Sequence, residues 1–229
     1  MSMPFYVSPE QVMKDRADYA RKGIARGRSL VALEYADGIA LVAENPSGTL
    51  HKISEIYDRI GFAGVGKYNE FEMLKIAGIR HADVRGYSYS REDVTARALA
   101  NGYAQTLGQV FTHEMKPYEV EILVAQVGEH EGEPNEMFHI LYDGTVMDEH
   151  GFTVLGGQAE AISDQLKANY SDGLDAGAAV RLGVKSLGSP DHREIAADQL
   201  EVAVLDRNRP RRKFRRLDDD EVTALLAAG

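Results

Sequence analysis

Apolar spacing along the chain predicts an α+β fold in which two antiparallel sheets stack face to face and helices cover their outer faces. Three observations carry that reading. Blocks of short strands alternate with pairs of helical segments. Two turn pairs, Asp37-Gly38 and Asp143-Gly144, close hairpins between antiparallel neighbours. No linker long enough to divide the 229 residues appears, and a chain that is 44% hydrophobic can bury one sizeable core rather than two. A single domain over 1–229 is therefore expected.

The first element is a helix over 9–25. Ser8 suits its cap, Pro9 its first position and Gln11 the reciprocal capping-box position, after which Val12, Met13, Tyr19 and Ala20 supply spaced apolar contacts. A short mixed tail with no core role precedes it. Strands follow at 29–35, 38–43, 52–57 and 60–65, within an expected core over 29–216. Segments 68–82 and 91–112 read as helices. In the second, Val94, Ala98, Tyr103, Leu107 and Val110 mark one buried face, and Ser90 with Asp93 matches a helix-start pattern. Strands return at 118–127, 137–142, 145–147 and 152–155. Helices over 159–170 and 174–187 precede a strand at 199–205. A last helix spans 218–228, with Asp218, Asp219 and Asp220 where the helix dipole favours negative charge.

Composition narrows the function classes. Cysteine is absent, which excludes disulfides, a thiol nucleophile and a thiolate metal site. No run of apolar residues is long enough for a membrane span, and no secretory leader pattern opens the chain, so a cytoplasmic protein without a membrane partner is expected. The formal net charge of −10 opposes non-specific nucleic-acid binding. One segment departs from that average: 207–216 reads Arg-Asn-Arg-Pro-Arg-Arg-Lys-Phe-Arg-Arg. Its plain reading is a solvated turn and edge strand, where Pro210 is tolerated; its sharper reading is a contact with an acidic partner.

The chemical motifs do not by themselves define an enzyme. Gly61-Phe62-Ala63-Gly64-Val65-Gly66-Lys67 has phosphate-loop spacing, but Tyr68 stands where Mg²⁺ would need Ser or Thr. A nucleotide-binding protein using Gly61–Lys67 is thus an alternative, set against a tightly packed glycine-rich turn. The histidines form no His-x-x-x-His pair, so no metal site is expected. Glu119 and Glu121 alternate on a strand and read as a solvated sheet face. Ser29 and Lys52 could be imagined as nucleophile and base, yet nothing in their spacing compels it.

Longer motifs resemble one family. Tyr19-Ala20-Arg21 before a basic, Gly-containing turn, then Ala43-Glu44-Asn45-Pro46-Ser47, resemble the bacterial 20S proteasome α-type subunits. The segments His51 to Ala63, Val65 to Phe71, Arg85-Gly86-Tyr87-Ser88-Tyr89 and Leu99 to Leu107 fit the same pattern. So does Lys116-Pro117-Tyr118-Glu119-Val120, like the Pro-Tyr approach to a strand shared across proteasome subunits. The likeness spans roughly residues 1–205.

The resemblance implies the N-terminal-nucleophile hydrolase fold, a four-layer αββα sandwich, with an extra N-terminal helix. It also implies a non-catalytic role. A peptidase β subunit opens its first strand on a threonine, whereas this chain reads Gly27-Arg28-Ser29. Arg28 is no nucleophile, because guanidinium stays protonated. A self-compartmentalising threonine-type peptidase is accordingly the other alternative, and no catalytic residue is assigned. By resemblance, seven copies form a ring, and two such rings cap two β rings. The tail of Met1, Ser2, Met3, Pro4, Phe5, Tyr6, Val7 and Ser8 would obstruct the pore. A ring-shaped ATPase activator would insert its C-terminal tails into a pocket shaped by Lys52 and Gly66, with Arg21 assisting. Protein substrates would pass in transit, and no cofactor is implied.

Overall fold

A computed structural model describes residues 8–228; Met1 to Val7, expected from the resemblance to form a gate, lie outside the described residues. The chain opens with α1 (Pro9–Ile24), then β1 (Leu30–Tyr35), β2 (Gly38–Glu44), β3 (Ile53–Tyr57) and β4 (Ile60–Gly66). Helices α2 (Tyr68–Ser88) and α3 (Ala96–His113) follow, then β5 (Val120–Gln126), β6 (Glu136–Ile140), β7 (Val146–Glu149) and β8 (Phe152–Leu155). The rest comprises α4 (Ala159–Asn169), α5 (Ala176–Gly188), β9 (Leu200–Asp206), β10 (Phe214–Leu217) and α6 (Asp219–Ala227).

The strands form two five-stranded antiparallel sheets, ordered β10-β9-β2-β1-β8 and β3-β4-β5-β6-β7. Alternation along the strands explains why they stack. On β1 and β2, Leu30, Ala32, Leu41 and Ala43 point to the second sheet and meet Ala63, Leu123 and Ala125. Val31, Leu33 and Val42 point the other way, onto α4 and α5 through Ile162, Val180 and Val184. On the second sheet Phe62, Ile122 and Val124 face outward, onto α2 and α3 through Phe71, Leu99 and Tyr103. With both faces covered, the central strands β1, β2, β4, β5 and β9 read as nearly continuous apolar runs, although they are antiparallel. The result is the αββα sandwich expected, with α1 as the added N-terminal helix. No helix among the described residues is long and apolar enough to cross a bilayer.

Several local expectations need correction. Ser8 caps α1, accepting the Gln11 N–H at 3.2 Å, but the Gln11 side chain turns to Asp15 at 2.6 Å instead of completing a capping box. The reciprocal box occurs on α6, between Asp218 and Glu221. Helix α2 runs six residues past Ala82. Residues 91–93 form a separate 3-10 turn capped by Ser90, and α3 starts only after Thr95, whose hydroxyl accepts the Ala98 N–H at 3.2 Å. Glu119 and Glu121 are not a solvated face. Glu119 pairs with Lys116 at 2.9 Å, and Glu121 accepts the Gly156 N–H at 3.2 Å beside the buried His139.

Candidate functional site

Two of the candidate residues, Lys52 and Gly66, meet at the linker between α1 and β1. Lys52 lies just before β3. Its ammonium donates to the carbonyl of Arg28, in the linker, at 2.8 Å and to that of Glu44, at the end of β2, at 3.0 Å. Burial lowers the Lys52 pKa to about 8; the carboxylates of Glu201 and Glu44 oppose that shift, while the Arg28 cation adds to it.

Two buried carboxylates fix this arrangement. Glu201 on β9 accepts the backbone N–H of Lys52 at 2.8 Å and of Ile53 at 3.2 Å, along with the Asn45 amide at 2.7 Å and the Arg216 guanidinium. It thereby fastens the start of β3, in one sheet, to β9, in the other. Glu44 accepts both guanidinium nitrogens of Arg193, at 2.7 and 2.6 Å, and pairs with Arg28. The hydrogen bonds from Arg193 do most to lower the Glu44 pKa, against the opposing effect of burial. Sequence reasoning assigned no role to Glu44, Arg193 or Glu201. Arg193 stands 149 positions from Glu44, so no local spacing could have paired them.

Gly66 closes β4 with a φ of +99°, and a side chain there would collide with the Glu119 carbonyl. That carbonyl accepts the Lys67 N–H at 2.9 Å. Gly27 of the linker packs on the Gly66 backbone, so Lys52 and Gly66 touch adjacent residues of the same linker. Beside Gly66, Lys116 bridges Glu70 at 2.6 Å and Glu119 at 2.9 Å. Burial works against the Lys116 charge, but those two carboxylates outweigh it and raise its pKa. Arg21 is directed elsewhere: it lies over the Tyr142 ring at 5.7 Å and pairs with Asp18 at 3.5 Å.

The alternative sites fare differently. Residues 61–66 are a strand and not a phosphate loop, since their backbone is paired with β3 and β5. Gly64 makes room for the Phe71 ring, and the Lys67 ammonium faces Glu70 and Glu119 at 3.9 and 4.0 Å. The nucleotide-binding reading therefore fails on geometry. Ser29 is buried at 6% exposure, and the Lys52 ammonium is bound to carbonyls, so the pair is not poised as nucleophile and base.

Comparison with known proteins agrees with the architecture. A family model described as proteasome subunit matches residues 24–205. A protein of Kineococcus radiotolerans named proteasome subunit alpha is 61% identical over 99% of this chain and 99% of its own length. One from Thermomonospora curvata with the same name is 58% identical over the full length of both chains. Another, from Streptosporangium roseum, is 60% identical over 100% of this chain and 88% of its own length.

Proposed function

This chain belongs to the proteasome subunit family as a non-catalytic α-type member, and from that premise we propose that it builds the outer rings of a cytoplasmic core particle, gates them and docks an activator. Seven copies form each ring, and two such rings flank two rings of threonine-type β subunits. The tail of residues 1–8 obstructs the pore. The C-terminal tails of a ring-shaped ATPase enter pockets between neighbouring copies, and unfolded or tagged chains pass when the gate opens.

One observation carries the docking part of this reading. An ammonium has three N–H donors, and Lys52 uses two of them on the carbonyls of Arg28 and Glu44. The third is left for a carboxylate. Because the site is partly desolvated, a charge-assisted bond there is stronger than one in open water. The incoming carboxylate would also compete with the Arg28 carbonyl, which belongs to the linker leading back to α1 and the tail. Docking and gate are thereby joined through one side chain. Gly66 shapes the wall beside it, and Arg21 stands one helical turn before the linker.

The reading is tested in particles assembled with β subunits. Lys52→Ala is expected to abolish activator-stimulated peptide hydrolysis while seven-fold rings still form in electron micrographs. Undiminished stimulation in intact particles would remove Lys52 from the pocket.

A further inference from the structure

The turn between β9 and β10 gathers cations of which only some are paired with carboxylates among the described residues. Within 207–216, Arg212 pairs with Glu55, Arg215 with Glu221 and Arg216 with Glu201. Among the described residues, Arg207, Arg209, Arg211 and Lys213 have no carboxylate within ion-pair distance, although the chain as a whole carries a net charge of −10. Two of these four build the turn. Lys213 donates to the carbonyls of Arg207 at 2.7 Å and Arg209 at 2.6 Å, and Arg207 donates to the His130 carbonyl and the Asn135 amide oxygen, each at 3.1 Å. Backbone bonds anchor the same turn to its neighbours, from Arg207 to Asp37 at 2.9 Å and from Lys213 to Asp58 at 2.8 Å.

Arg209 and Arg211 remain. The Arg209 side chain makes one long bond, to the Arg212 carbonyl at 3.3 Å. Arg211 is exposed, and its φ of +59° lies in the region that favours glycine. A recess of about 640 Å³ opens beside Arg209 and Arg212, and another of about 610 Å³ beside Arg211 and Lys213; the carboxylates that line them, Glu55, Asp58 and Glu129, are already paired with Arg212, Arg91 and Arg59. The turn therefore offers two guanidinium groups on a preformed frame, with room on either side. Guanidinium forks match carboxylates. A nucleic acid fits less well, because Phe214, the aromatic of this segment, is buried at 8% exposure and gives bases nothing to stack on.

We infer that the β9–β10 turn docks an acidic, extended segment of a partner protein, whose carboxylates pair with Arg209 and Arg211. The surface is separate from the Lys52 site, and the inference does not rest on the ring-and-gate reading. Its test is a fluorescence-anisotropy titration of the purified full chain with a short labelled peptide of alternating glutamate and alanine. Binding is expected for the unaltered chain and, equally, for a charge-matched Lys14→Ala/Arg80→Ala variant. An Arg209→Ala/Arg211→Gly variant is expected to bind about ten-fold more weakly or worse, and added salt to weaken binding throughout. Arg211→Gly alone relieves the backbone strain, so its thermal midpoint should hold or rise, which separates lost docking from misfolding. Absence of peptide binding, or equal loss in the charge-matched control, would overturn the inference. So would tighter binding of a single-stranded oligonucleotide at the same residues. Self-association that vanishes in the Arg209→Ala/Arg211→Gly variant, seen by sedimentation without peptide binding, would identify a second copy as the occupant and overturn it as well.

Discussion

At Lys52, two properties of one ammonium give pH trends of opposite sign. The ordinary lysine pKa of 10.5 falls to about 8 here because the group is buried. Between those values the unfolded chain keeps a proton that the native site has released. Raising the pH through that window therefore favours the native state through this group. Docking should behave in the opposite way, since neutral Lys52 offers no charge to a carboxylate. Activator stimulation at sub-saturating activator is thus expected to decline as pH rises through about 8, while the thermal midpoint of the particle shows no parallel loss from this residue. A bound carboxylate raises the lysine pKa, so saturating activator should move the decline to higher pH. Stimulation that stays flat from pH 7 to 9, in buffers where β-subunit peptidase activity alone is also flat, would count against a titrating Lys52.

At the scale of elements, the linker and the end of β4 form one unit. Gly66 holds a positive φ against the Glu119 carbonyl, and Gly27 lies on its backbone. Gly66→Ala should therefore cost about 2–3 kcal/mol, from backbone strain together with a displaced contact. A lowered denaturant midpoint with an unchanged slope would check this, and a midpoint equal to that of the unaltered chain would show that the backbone at Glu119 can yield. The element order was legible in the sequence because most strands have a covered face and most helices an apolar stripe. Boundaries were less so. Helix α2 outlasts its apolar pattern because Val84 and Tyr87 on its last turns are exposed, at 66% and 94%. Val94 looked helical because it is buried, yet the chain is extended there and the Gln126 side chain takes the Ala96 N–H at 2.8 Å. Lys52 and Gly66 became candidates through the resemblance. The carboxylates that fix Lys52 were not, because Glu44–Arg193 and Glu201–Lys52 are joined only by folding.

For the whole molecule, the question is whether a carboxylate at Lys52 can be felt at the tail. The physical path runs the length of one helix: the Lys52 ammonium holds the Arg28 carbonyl, the linker joins the C-terminal end of α1, and the tail joins its N-terminal end at the cap Ser8. Ser8 has two roles in this scheme, as the last tail residue and as the helix cap. Losing the cap alone costs α1 about 1 kcal/mol. Deleting residues 1–8 would therefore mix an opened pore with a loosened helix. A deletion of residues 1–7 that retains Ser8 separates them. In assembled particles it is expected to raise basal hydrolysis of short peptides and to leave the activator little further stimulation. Ser8→Ala in the full-length chain should instead lower the thermal midpoint and keep basal hydrolysis low. If the truncation leaves the basal rate unchanged, the barrier lies elsewhere in the ring. If Ser8→Ala opens the pore as fully as the truncation does, the position of α1, and not the bulk of the tail, is what closes it.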